Sequence, residues 1–136
     1  MQRLSRAPED MRLPLISDTD RRKIAAYVDL FRNGDFDAIR AMLADDVKLD
    51  LVNRLQWQGR EKITPYFTRY AEVSKWRFVL GAVEGRPAML VFDSDGPMDG
   101  PAHFVLVEWS DGRIAAIRDF LFAPYVLEAM DWVRLG

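Results

Sequence analysis

The sequence predicts an α+β fold, a curved and mostly antiparallel sheet with three helices on its concave face and a pocket between the two layers. Three observations carry this. Apolar residues before position 71 recur with the 3.6-residue period of helices, and those after position 74 with the period of two that marks strands. Helices segregated from a run of meandering strands pack together on one sheet face. Several late strands are apolar on both sides: Ala88, Leu90 and Phe92 oppose Met89 and Val91, and Phe104 and Leu106 oppose Val105 and Val107. Such a sheet is covered on both faces. The helices cover one, so the other is expected to be an interface with a second copy or with another domain, and a homodimer is the expected cover for an isolated domain.

The elements follow in order. Residues 1–16 read as a basic tail or linker, with Arg3, Arg6 and Arg12 punctuated by Pro8 and Pro14, and residues 17–136 as the domain. Ser17 or Thr19 caps a first helix whose Ile24, Tyr27, Val28 and Phe31 form one buried stripe, and Asn33-Gly34 stops it. Asp35 caps a second, short helix with Phe36, Ile39, Met42 and Leu43 on one side. After Asp45-Asp46, read as turn and cap residues, Val47, Leu49 and Leu51 alternate as a strand. A loop with Trp57 and Gly59 leads to a third helix bearing Ile63, Tyr66, Phe67 and Tyr70. Four strands follow, over 75–84, 87–92, 102–109 and 113–122, with Asp111-Gly112 as a hairpin turn. Pro124 opens a last short helical segment.

Composition bounds the function. A chain of 136 residues, 49% hydrophobic and 29% charged, is one globular domain. With 19 basic against 21 acidic side chains, net charge −2, it lacks the positive excess for coating nucleic acid or an anionic membrane, and three tail arginines are too few to argue specific DNA binding. It has no cysteine and one histidine, which excludes disulfides, thiolate sites and multi-histidine metal centres, and a reducing cytoplasm is the expected location. No apolar run reaches a membrane span. Asp93, Asp95 and Asp99 lack the glutamate of a calcium loop. No metal and no cofactor are expected.

The stretches Tyr27-Val-Asp-Leu-Phe-Arg-Asn-Gly34-Asp-Phe-Asp-Ala-Ile39, Ala44-Asp-Asp-Val47, Gly59-Arg-Glu-Lys-Ile63 and Asp111-Gly-Arg-Ile114 resemble the nuclear-transport-factor-2-like, or SnoaL-like, superfamily from about Asp18 to Tyr125. The resemblance implies a cone-shaped roll around a pocket, a fold that hosts isomerases, cyclases, epoxide hydrolases and non-catalytic binding modules. Leu43-Ala-Asp-Asp-Val-Lys-Leu-Asp-Leu51, Gly85-Arg-Pro-Ala-Met-Leu-Val-Phe-Asp93, His103-Phe-Val-Leu-Val-Glu-Trp109, Ile114-Ala-Ala-Ile-Arg-Asp-Phe120 and Pro124-Tyr125 together resemble the C-terminal SnoaL-like domain of extracytoplasmic-function sigma factors of bacterial RNA polymerase. That resemblance implies a regulatory domain that modulates transcription initiation, with sigma-factor domains and RNA polymerase as partners. The sigma domains themselves are absent from this sequence, so the chain is expected to be a fragment or a freestanding relative. The Asp-Gly-Gly-Gly-Lys motif of one group of such extensions is absent too; the nearest loop is Asp95-Gly-Pro-Met-Asp-Gly100.

The family's enzymes offer two tests. Ketosteroid isomerases need a carboxylate base and an oxyanion hole of Tyr and protonated Asp. Tyr27 falls at the oxyanion tyrosine position by resemblance. Carried forward without a gap, the base position falls on Leu51 and the second acid on Val105. A shifted register would place Asp50 at the base position instead; the ungapped register keeps Val47, Leu49 and Leu51 on one face. Arg118-Asp119-Phe120 resembles the Arg-Asp-Tyr strand of epoxide hydrolases, but the partner Arg-x-Asp is missing, with Arg86-Pro-Ala the nearest match. Asp119 therefore reads as a rim hydrogen-bonding residue before it reads as a catalytic one. His103 shares a face with Val105 and Val107, as a pocket histidine or a general base. The candidate catalytic set for an enzyme is Tyr27, His103, Asp119 and Asp50, and the expected pocket lining is Tyr27, Leu51, Trp57, Tyr66, Val105, His103 and Asp119. Trp57, Trp76, Trp109, Phe78 and Tyr66 are aromatic enough to hold a small, flat apolar ligand, or serve as core. Two functions from different classes result: a non-catalytic regulatory module, or a small enzyme acting on an apolar cyclic substrate.

Overall fold

The computed structural model of the protein describes residues 16–96 and 100–135. The expected tail, apart from Ile16, and Asp99 of the candidate calcium loop lie outside the described residues. α1 (Asp18–Asn33) starts where the Ser17 hydroxyl accepts the Asp20 amide at 3.1 Å, and it ends at Gly34, whose left-handed φ of 69° returns its N–H to the Leu30 and Phe31 carbonyls. α2 (Phe36–Met42) is capped by Asp35, which accepts the Ala38 amide at 3.2 Å. α3 (Thr64–Glu72) carries Pro65 in its first turn, where the missing N–H costs nothing.

The strands are β1 (Leu43–Leu51), β2 (Leu55–Gln58), β3 (Trp76–Val83), β4 (Arg86–Asp93), β5 (His103–Ser110), β6 (Arg113–Asp119) and β7 (Trp132–Arg134). They form one sheet in the order β2-β1-β6-β5-β4-β3-β7, antiparallel throughout except for the parallel pair β1 and β6. The β5–β6 turn places Asp111 and Gly112 at φ 53° and 79°, the double positive φ that the hairpin needs and that Asp-Gly supplies cheaply.

Two local expectations are corrected, and the short helical segment expected at Pro124 is observed, followed by one further strand. Trp57 lies in β2, not in a loop, because Leu55 and Trp57 pair with Leu51 and Leu49. Asp45 and Asp46 lie within β1, where the register shifts between Leu43 and Lys48; both are exposed, and Asp45 pairs with Arg60 at 2.9 Å. The chain after Pro124 makes a single 3₁₀ segment (Pro124–Ala129) and then returns to the sheet as β7.

β7 has room to pair because β3 carries glycine opposite it. A Cβ on Gly81 would sit 2.5 Å from the Leu90 side chain and 2.7 Å from the Val133 carbonyl oxygen. Gly81→Val is therefore expected to cost about 1–3 kcal/mol, read as a lower urea midpoint.

The two-sided sheet is observed. On the helix side, Val47, Leu49, Met89, Val91, Val105 and Ile117 pack with α1 and α3 around Phe31, whose ring meets those of Tyr27, Phe36, Phe67, Tyr70 and Phe78 at 5.1–6.1 Å. On the other side, Ala88, Leu90, Phe92, Phe104 and Leu106 are buried with Ala123, Leu127, Met130 and Trp132 of the returning C-terminal segment. The face expected to need a partner's cover is thus closed largely by the chain itself.

Candidate functional site

Strand register builds the site. Leu51 pairs with Asp119, Asp119 with Val105, Val105 with Met89 and Met89 with Leu80, so one carboxyl group interrupts an otherwise apolar row on the helix side of the sheet. The next row brings His103 beside Val91. Above them, Tyr66 and Tyr70 stand four residues apart on the buried stripe of α3 and point their hydroxyls down at that carboxyl.

The result is a closed polar network. Oδ2 of Asp119 accepts from both tyrosine hydroxyls at 2.7 Å, and Oδ1 accepts the Leu121 amide at 2.8 Å. The Tyr70 oxygen lies 2.8 Å from His103 Nε2. Because the Tyr70 proton goes to Asp119, the consistent assignment has His103 donating from Nε2 to the Tyr70 oxygen. Nε2 also lies 3.7 Å from Asp119 Oδ1, and the Trp76 ring stands edge-on to the imidazole at 5.1 Å. Asp119 is 0% exposed and His103 1%. Burial, reinforced by Asp119, pushes both Tyr66 and Tyr70 well above the ordinary phenol range, so both stay protonated as donors.

Burial also holds His103 below the ordinary histidine range, with Asp119 opposing more weakly. The unfolded chain therefore takes up a proton near pH 6.5 while the native imidazole stays neutral. This contribution to stability is complete above that pH, declines as pH falls through it, and levels off below the native pKa. Urea midpoints at pH 7.5 and 5.5 are expected to differ more for the wild type than for His103→Gln.

A cavity of about 470 Å³ opens on the other side of the tyrosines, lined by Leu51, Leu55, Trp57, Tyr66, Tyr70, Trp76, Phe122 and, at its edge, Arg54, Arg69 and Lys75. Of the expected lining, Leu51, Trp57 and Tyr66 are there. Tyr27, His103, Val105 and Asp119 are not: they are buried among the core residues, with Asp119 and His103 separated from the cavity by the rings of Tyr66 and Tyr70. Asp50 is on the opposite sheet face, 3.4 Å from Arg118, while Leu51 faces the cavity. Arg86 pairs with Glu108 instead of Asp119. Trp109 and Phe78 pack on the core. Tyr70 and the three cations were missed as site residues. The phenols had a signal, since two tyrosines at i and i+4 on a buried stripe both need hydroxyl partners.

The Tyr27 ring lies on the α1 stripe, and its buried hydroxyl has no hydrogen-bond partner among the described residues: neither Asp119 nor His103 meets it. Burial, and secondly the nearby Asp119, push its pKa well up. Tyr27→Phe is accordingly expected to be neutral or to stabilise by about 1 kcal/mol in a thermal melt, since it removes an unmatched polar group. No helix among the described residues is long and apolar enough to cross a membrane, and none of them form a cluster of three metal-ligating side chains.

An α+β roll with a cavity between α3 and a curved mixed sheet defines the class. Residues 24–117, more than half of the chain, match the model of the SnoaL-like domain, and the protein belongs to that family. Among solved structures, Bal32a from a soil-derived mobile gene cassette aligns with a TM-score of 0.58 at 18% identity, covering 79% of this chain and 92% of its own. A nuclear-transport-factor-2-like protein of unknown function from Mesorhizobium loti gives 0.54 at 18%, covering 78% and 93%. SalBIII, an epoxide hydrolase/cyclase-like enzyme of pyran ring formation in the polyether salinomycin, gives 0.52 at 19%, covering 76% and 91%. At these identities the likeness shows the fold alone. No curated protein matches the chain.

Proposed function

We propose that this chain is a non-catalytic, ligand-binding regulatory module that acts in the cytoplasm as the accessory domain of an extracytoplasmic-function sigma factor, with the sigma domains and RNA polymerase as its partners. The observation that carries the non-catalytic part is the sealing of the reactive set. The one carboxyl on the cavity side of the sheet row is fully buried beneath two tyrosine rings and already accepts three donors, while the position nearest the cavity is Leu51. A general base must reach the proton it removes, and Asp119 as placed does not. The cavity itself has the size and the largely apolar wall of a small-molecule site. The sigma-factor context is supported by the strand motifs from Leu43 to Tyr125. Its test is to read the coding sequence upstream of Met1 and to assay transcription with and without residues 17–136 joined to it. Sigma domains upstream, with a several-fold change in transcription on removal, support the reading; a stop codon upstream and no binding to sigma domains or polymerase overturn it.

The second reading, a small enzyme on an apolar cyclic substrate, is favoured by one observation. Tyr66, Tyr70, His103 and Asp119 form a connected proton-bearing set one ring's thickness from the cavity. It requires the two tyrosines to move aside when substrate enters.

A further inference from the structure

The cavity has a chemical asymmetry. Its wall is built from Leu51, Leu55, Trp57, Trp76, Phe122 and the rings of Tyr66 and Tyr70, whose hydroxyls are turned away to Asp119. Its edge carries Arg54, Arg69 and Lys75, and among the described residues no carboxylate lines it. Lys75 is already matched, 3.3 Å from Asp93. Arg54 and Arg69 have no ion-pair partner among the described residues. The Arg54 guanidinium lies 5.0 Å over the Phe122 ring, a packing that fixes the plane of the group and leaves its N–H edge to donate. Arg69 is carried by α3 next to Tyr70, so it is placed by the same helix that builds the wall.

We infer that the ligand is an amphipathic organic anion: a flat apolar body against the aromatic wall, with a carboxylate or sulfonate at the Arg54–Arg69 edge. An uncharged ring compound makes no ionic contact with these two exposed guanidinium groups, whereas an anionic head offers each a charge-assisted hydrogen bond. This inference rests on the reading of the cavity as a ligand site.

The test compares two fluorescent probes that share one ring system, anionic 8-anilinonaphthalene-1-sulfonate and uncharged N-phenyl-1-naphthylamine, titrated into the folded chain. The anionic probe is expected to bind at one site and about tenfold more tightly, with affinity falling as salt rises. Arg54→Gln and Arg69→Gln are each expected to weaken it about threefold, as suits an exposed pairing, and to leave the neutral probe unchanged. Arg86→Gln, remote from the cavity, serves as the charge control and is expected to change neither probe. Equal affinity for the two probes, or equal loss in Arg86→Gln, overturns the anionic specificity while leaving an apolar site in place. Failure of both probes to bind, or binding that persists when Leu55→Trp fills the cavity of a chain with unchanged thermal melt, overturns the ligand-site reading itself.

Discussion

Replacing Asp119 with alanine is expected to destabilise the protein by about 3–5 kcal/mol, a large part of the stability of a domain this size. The substitution strands the buried Tyr66 and Tyr70 hydroxyls and the partly buried Leu121 amide, all of which now donate to that one carboxyl group. Each unsatisfied buried donor costs about 1–3 kcal/mol. The triple variant Asp119→Leu with Tyr66→Phe and Tyr70→Phe removes the acceptor together with its two hydroxyl donors, leaving the Leu121 amide and the His103 Nε2–H without their partners. It is expected to recover part of the loss, because the apolar row from Leu51 to Leu80 then continues without interruption. Urea denaturation of the two variants checks the pair of outcomes. If Asp119→Ala alone costs less than about 1 kcal/mol, the network does not hold the helix to the sheet.

Phe31→Ala is expected to be comparably severe, about 3–5 kcal/mol, from lost burial and the cavity left behind. Phe31 is buried at the centre of five aromatic rings contributed by α1, α2, α3 and β3. Its edge-on contact with Tyr70 at 5.3 Å also links the core to the site, so this loss is expected to loosen the Tyr70 hydroxyl from Asp119. A urea midpoint gives the stability, and near-ultraviolet circular dichroism reports the tyrosine environment.

The readability of this fold in its sequence differs from place to place for physical reasons. Caps and turns were legible because each rests on one residue type doing one thing: Ser17, Gly34, Asp35 and the Asp111-Gly112 pair all sit where expected. The face of Leu51 was legible because alternation in a strand fixes every second side chain. β2 escaped notice because Leu55-Gln-Trp-Gln58 alternates over only four residues, too few to distinguish from a loop. β7 was hidden for a different reason. Three residues carry no period, and the space that admits them is created by Gly81, far away in sequence. That return of the C-terminus covers much of the second apolar face; apolarity shows that a face is covered but not by what.

The site was legible in composition rather than in connection. His103 could be placed on the helix side of the sheet and Tyr66 on the buried stripe of α3 from periodicity, whereas Asp119, read first as a rim residue, is fully buried. That Tyr66 and Tyr70 would form a roof between Asp119 and the cavity depends on how α3 crosses β1 and β6, which no local pattern encodes. The same packing leaves Tyr27 without a hydroxyl partner among the described residues, so the residue that resembled an oxyanion donor is a core ring.

Binding without turnover is the central claim, and one measurement tests it most directly. The chain is incubated with a panel of cyclic ketones, epoxides and polyketide-like acids; each mixture is analysed by mass spectrometry for product and by thermal melt for binding. The account predicts that ring-bearing acids raise the melting temperature and are recovered unchanged. Product formed above the buffer rate, and reduced about 100-fold in Tyr70→Phe or His103→Gln at an unchanged melting temperature, would contradict it and establish the buried network as catalytic machinery.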